Sequence, residues 1–128
     1  LLEAVVFSNR CAEHVVANLN TKFDSELPEW RADGLLDLVE HSPLRSDRIA
    51  LQSTMTDDVG LVKRNARLLR AQRRLDFLRG EVDRIWRGSL PTREVIELRN
   101  MVHVSRLVTA AAIARKVNVG LHHNLDFD

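Results

Sequence analysis

The chain has 128 residues, 19 Lys or Arg against 18 Asp or Glu, a net charge of +1 and 45% hydrophobic side chains. That length and apolar fraction suit one domain with a real core and exclude a wholly disordered chain. The near-neutral charge excludes an overall field toward nucleic acid or a membrane surface, and no apolar run approaches the roughly 20 residues of a bilayer-spanning helix.

Five Gly, three Pro and no Tyr, with Leu, Val, Ala and Arg abundant, favour helices over sheets, so the predicted class is all-α. No charged-then-apolar leader opens the chain, and the single Cys11 cannot form an internal disulfide; both point to the cytoplasm.

In chain order, a first helix is predicted over residues 2–19. It starts in an apolar pattern (Leu1, Leu2, Val5) with no Ser, Thr, Asp or Asn ahead of it, which predicts that the chain continues upstream of residue 1. Cys11, beside Phe7, Val15 and Val16, reads as a buried structural thiol. Residues 21–45, punctuated by Pro28, Gly34 and Pro43, read as an irregular linker with a short helical piece over 35–40.

Ser46 is the expected cap of a helix starting at Asp47, with Ile49, Ala50 and Met55 facing inward and a break at Asp57, Asp58, Val59 and Gly60. Beyond it Leu61, Leu68, Ala71, Leu75, Leu78, Val82 and Ile85 form a narrow seam, spaced by three and four residues after Leu68. One helix running through Gly80 and stopping at Gly88 is predicted. A last helix capped by Thr92 should extend to about residue 117, with Leu98, Val102, Thr109 and Ala112 on one apolar face. Met101, Val104, Val108 and Ala111 make a second face, where a large residue at Ala111 should overpack a neighbour. The expected architecture is a three-helix up-down-up bundle over residues 46–128, preceded by one further helix and the linker.

Candidate chemistry is sparse. Arg64, Arg67, Arg70, Arg73, Arg74 and Arg79 raise a nucleic-acid reading, but Asp76, Glu81 and Asp83 sit at helical ion-pair spacings and no aromatics interleave, so a salt-bridged face is favoured. His122, His123 and Asp126 lack a recognised metal-ligand spacing, and His103 reads as a hydrogen-bonded structural residue. No nucleophile–base pairing, phosphate loop or paired carboxylate stands out, so no catalytic and no metal residue is assigned.

Four blocks carry a resemblance. They are Leu1-Leu2-Glu3-Ala4-Val5-Val6-Phe7, Met55-Thr56-Asp57-Asp58-Val59-Gly60-Leu61-Val62-Lys63, Glu97-Leu98-Arg99-Asn100-Met101-Val102, and Arg115-Lys116 with Gly120-Leu121-His122-His123-Asn124-Leu125-Asp126-Phe127. In this order and spacing they resemble the C-terminal region of bacterial L-aspartate oxidases, relatives of the succinate dehydrogenase and fumarate reductase flavoproteins. The resemblance implies a parent enzyme that uses FAD to oxidise L-aspartate to iminoaspartate, the first step of bacterial NAD synthesis.

It also implies that residues 1–20 are a helix of the flavin-binding domain, that 46–128 is a bundle with a terminal docking tail, and that this fragment is structural, with no FAD bound on its own. Leu1, Leu2 and Glu3 match the end of the family's Arg-x-x-x-Asn-Ser-Leu-Leu-Glu motif, which places the backbone of Leu1 beside the flavin as the one cofactor-binding residue. Uncapped N–H groups there would stabilise negative charge on the reduced ring. Val117-Asn118-Val119 stands where the family usually has Glu-Ser-Arg. The alternatives are a succinate dehydrogenase or fumarate reductase flavoprotein and a free-standing helical interaction module.

Overall fold

Alternating steps of three and four between apolar residues decide the architecture, and the computed structural model, which describes residues 2–20, 28–37 and 40–127, is all-α. Its helices are α1 (Leu2–Ala17), α2 (Ser42–Val59), α3 (Asn65–Gly88) and α4 (Arg93–Ala114). Two short strands, β1 (Val62–Lys63) and β2 (His123–Asn124), pair in parallel, Val62 with His123 and Lys63 with Asn124. The chain divides into two compact units, Leu1–Arg31 and Ala32–Asp128.

In the first unit, α1 closes on Asn18, whose side-chain amide donates to the His14 carbonyl at 2.7 Å. The burial expected for Cys11 is not found: the thiol is exposed, and so are Phe7, Val15 and Val16. A helix buries its apolar stripe only against a facing surface, and α1 is the sole helix of its unit among the described residues.

In the second unit, α2, α3 and α4 form the up-down-up bundle. Leu68, Ala71, Leu75, Leu78 and Val82 of α3 are buried, with the predicted spacing and across Gly80. From α4, Val95, Leu98, Val102, Ser105, Thr109 and Ala112 face them. Leu44 and Leu51 of α2 join Leu75, Leu78, Val82 and Leu98 in one cluster; Val59, Leu68, Ala71 and Ala112 form a second, and Met55 packs against both. Leu61, expected to head the seam, lies before β1 and is exposed.

Several boundaries and faces differ from expectation. α2 begins at Ser42 rather than Asp47, because Pro43 sits in the first turn, where its missing N–H is harmless and its fixed φ suits a helix. The inward face consists of Leu44, Leu51, Thr54 and Asp58, and Ile49 and Ala50 are exposed. Residues 35–37 and 40 form no helical piece; Leu36 instead donates its N–H to Gly88 and accepts from Leu90 N–H, at 3.1 and 2.9 Å, while 38 and 39 lie outside the described residues. α2 stops at Gly60, where a Cβ would stand 2.6 Å from the Thr56 carbonyl oxygen, so a close backbone approach demands glycine. Thr92 caps α4 as predicted, its Oγ1 accepting from Val95 N–H at 3.4 Å.

Candidate functional site

The start of α3 lacks a cap of its own: Arg64 at the N-cap position offers no side-chain acceptor. The missing acceptor comes from the far end of the chain. Asp126 accepts the Asn65 N–H at 2.6 Å, and its other oxygen meets Arg64 Nη1 at 3.4 Å. A carboxylate at a helix N-terminus satisfies an unpaired N–H and meets the positive end of the dipole.

The tail reaches this place through asparagines. Asn124 is 0% exposed and donates from Nδ2 to Asn65 Oδ1 at 3.0 Å, while its own Oδ1 accepts Asp126 N–H at 3.1 Å. Asn118 folds the tail back: its Oδ1 accepts Asn124 N–H at 2.8 Å, and its Nδ2 donates to the carbonyls of Asn124 and Phe127 at 3.1 and 3.3 Å. Gly120, at φ +60, makes the turn between them. Asn118, within Val117-Asn118-Val119, thus supplies the side chain that organises the strap. Of the two tail histidines, for which the sequence offers no metal-ligand spacing, His123 pairs by its backbone with Val62, and His122 lies against the backbone of Arg115. Burial first, then the charges of Lys63 and Arg115, hold His122 below the usual histidine range. Among the described residues no group of three or more His, Cys, Asp or Glu is disposed to hold a metal ion.

The arginine face of α3 is an ion-pair face, organised differently than expected. Asp58 of α2, its side chain only 4% exposed, lies 3.3 Å from Arg70, 3.6 Å from Arg74 and 3.8 Å from Arg67. Arg79 pairs with Asp83 and Arg84 with Glu81, as spacing predicts, but Asp76 pairs across to Arg106 of α4 at 2.8 Å. By sequence Asp58 belongs to a helix break, and its role depends on a contact that no local pattern encodes.

At the opposite end, the starts of α2 and α4 flank an open cleft of about 760 Å³ lined by His41, Arg45, Arg48, Arg93, Glu94 and Glu97. His41 meets Glu94 at 2.7 Å; Arg93 and Arg48 both bond Glu97, at 2.8 and 3.0 Å, and these hydrogen bonds hold the Glu97 carboxyl below its ordinary range. Both carboxylates of this wall are engaged, Glu94 by His41 and Glu97 by Arg48 and Arg93, which makes it a clamp between helix ends.

The second apolar face predicted for α4 is uncovered. Val104 is 58% and Leu107 71% exposed, with Val108 and Ala111 also exposed and Met101 half-buried. Ala112, one position on, makes the close contact expected of Ala111. His103 is half-buried and its ring has no hydrogen-bond partner among the described residues. Leu1, the expected cofactor contact, lies outside the described residues. The positive-φ glycines, Gly34 and Gly120, stand in a loop and a turn.

Residues 48–128 match the family described as fumarate reductase flavoprotein C-term. The chain is 34% identical over 128 residues to an L-aspartate oxidase of Pseudomonas aeruginosa, covering 99% of this chain and 24% of that protein. An L-aspartate oxidase of Yersinia pestis gives the same figures, and a chloroplastic L-aspartate oxidase 2-a of Nicotiana tabacum is 30% identical over 142 residues, covering 99% of this chain and 22% of that protein. The chain thus spans about a quarter of the length of these curated relatives. No helix among the described residues is long and apolar enough to cross a membrane. With the match extending from within α2 through the strap, the chain belongs to the fumarate reductase flavoprotein C-terminal family.

Proposed function

We propose that this chain is the C-terminal helical domain of a cytoplasmic, FAD-dependent L-aspartate oxidase, and that it braces the flavin-binding domain without carrying catalysis. The observation that carries this reading is the 34% identity, spread over 99% of the chain, to a relative named L-aspartate oxidase of which it forms 24%. The uncovered stripe of Val104, Leu107, Val108 and Ala111 on α4 and the apolar residues of α1 are consistent with surfaces that the rest of such a polypeptide covers. In this reading residues 1–20 belong with the flavin-binding domain, 21–41 link, and 42–128 form the bundle and strap, since α2 starts at Ser42 and Leu44 lies in the core.

FAD would supply the hydride-accepting chemistry in the parent. This chain's share would be the backbone of Leu1, whose match to the end of the family motif supports a position beside the flavin, where helix N–H groups would favour an anionic reduced ring. L-aspartate is the parent's substrate and iminoaspartate its product, in bacterial NAD synthesis.

The test is expression of the chain alone and joined to its upstream coding sequence. The joined protein is expected to copurify with FAD and release peroxide with L-aspartate, and the lone chain to do neither. Succinate-dependent dye reduction by the joined protein, without aspartate turnover, would establish the second reading, a fumarate reductase or succinate dehydrogenase flavoprotein, which the name of the matched family favours.

A further inference from the structure

Where α2 and α3 meet they flank a second open cleft, of about 610 Å³. Three pairs of residues spaced by four line it: Ala50 and Thr54 on α2, Arg73 and Phe77 on α3, and Arg74 and Leu78 beside them. Residues four apart share one face of a helix. The two helices run antiparallel, since Asp58 at the end of α2 meets Arg67, Arg70 and Arg74 in the first half of α3. Thr54, Arg73 and Arg74 therefore fall at one end of the cleft, and Ala50, Phe77 and Leu78 at the other.

The polar end is unsatisfied. Thr54 is 5% exposed, yet its hydroxyl makes no hydrogen bond among the described residues, and a buried hydroxyl without a partner is rare. Arg73 has no acidic partner among the described residues, and Arg74 only shares the Asp58 carboxylate with two other arginines, at 3.6 Å. The apolar end is uncovered, with Phe77 71% exposed beside the buried Leu78. One acid, Asp47, also lines the cleft, but it stands two helical turns before Thr54, about 10 Å along α2.

We propose that this cleft binds a small aromatic carboxylate, its carboxylate held by Arg73, Arg74 and the Thr54 hydroxyl and its ring laid against Ala50, Phe77 and Leu78. Guanidinium donors suit a carboxylate, and an exposed Phe ring suits offset stacking. The cleft's size lies within the range of small-molecule sites. Asp47 disfavours the reversed orientation, which would bring two carboxylates together. The proposal does not rest on the function proposed above.

Amide NMR titrations at constant ionic strength test this with naphthoate and its uncharged counterpart, naphthamide. Naphthoate is expected to shift the amides of residues 47–54 and 73–78 and to bind about tenfold more tightly than naphthamide. Arg73→Gln, which changes an exposed side chain without an ion pair, is expected to remove that preference. Thr54→Val keeps the shape, removes the hydroxyl and is expected to weaken naphthoate about threefold. Naphthoate fluorescence should report the same affinity in the joined protein. The proposal is overturned by equal affinities for the two compounds, by equal naphthoate affinities in wild type and both variants, or by shifts centred on Val104, Leu107 and Val108 of α4. Loss of naphthoate binding in the joined protein also overturns it.

Discussion

The α3–α4 seam and the C-terminal strap are both fastened to α3, but by opposite chemistry. The seam is a row of leucines, valines and alanines in which each residue contributes area and none contributes direction. The strap is a chain of hydrogen bonds among Asn118, Asn124, Asn65 and Asp126, in which each atom has one correct partner. Apolar burial scales with area and tolerates exchange; a buried amide left without its partner retains its full desolvation cost. The seam should therefore set global stability, and the strap should set where the tail lies.

The largest effect separates the two directly. Leu75, 1% exposed and part of a cluster built from all three bundle helices, should lose about 2–5 kcal/mol on change to alanine, from transfer and cavity terms together. Urea denaturation followed by helical ellipticity checks this, with the whole bundle melting at lower urea. Asn124→Ala should cost about 1–3 kcal/mol, since it leaves Asn65 Oδ1 and the Asp126 N–H without partners. Its signature differs: hydrogen exchange should quicken over residues 118–127 and at the first turn of α3 while Leu68 to Val82 stay protected. Equal loss of protection along the seam would erase the distinction between the two regions.

The same distinction explains what could be read in advance. The α3 seam was legible because its period is local: Leu68, Ala71, Leu75, Leu78 and Val82 repeat within one helix. Pro43 misled because proline breaks a helix interior yet suits a first turn, and only the tertiary start of α2 decides between them. The apolar residues of α4 occupy two faces, and periodicity alone does not say which face meets α3; Ala112 does and Ala111 does not. The strap was least legible. Asn124 meets Asn65 across 59 positions and Asp126 meets it across 61, so no window along the sequence contains both partners. Asp58 hid for the same reason, since its arginines lie on the next helix. The resemblance, by contrast, was legible from four short blocks, and its Leu1 assignment remains a proposal.

Gly80 sharpens the view of the seam as tolerant. It lies inside α3 on the exposed side, and a Cβ placed there meets nothing within 4 Å. Gly80→Ala should stabilise the chain by about 0.5–1 kcal/mol, by raising helix propensity and reducing the entropy of the unfolded state. A rise in Tm with unchanged hydrogen exchange in the strap is the expected result. A fall would mean that the glycine serves a surface on α3 other than the bundle contact.

The smallest effect lies in the strap and depends on pH. Burial, then the charges of Lys63 and Arg115, disfavour the His122 imidazolium in the folded chain, so its folded pKa lies below the unfolded value of about 6.5. Between those two values the unfolded chain binds more protons than the folded one, and stability rises with pH across that window. The contribution is fully present above about pH 6.5 and is lost as pH falls toward the folded value. Glu97, with its carboxyl held low mainly by its hydrogen bond from Arg93, loses its contribution only at more acid pH, so the two groups separate along the pH axis. The Tm of the wild-type chain should therefore drop between about pH 7.5 and pH 5.5, and His122→Asn should flatten that drop without altering the loss at lower pH. A slope unchanged in His122→Asn would assign the titration to another group.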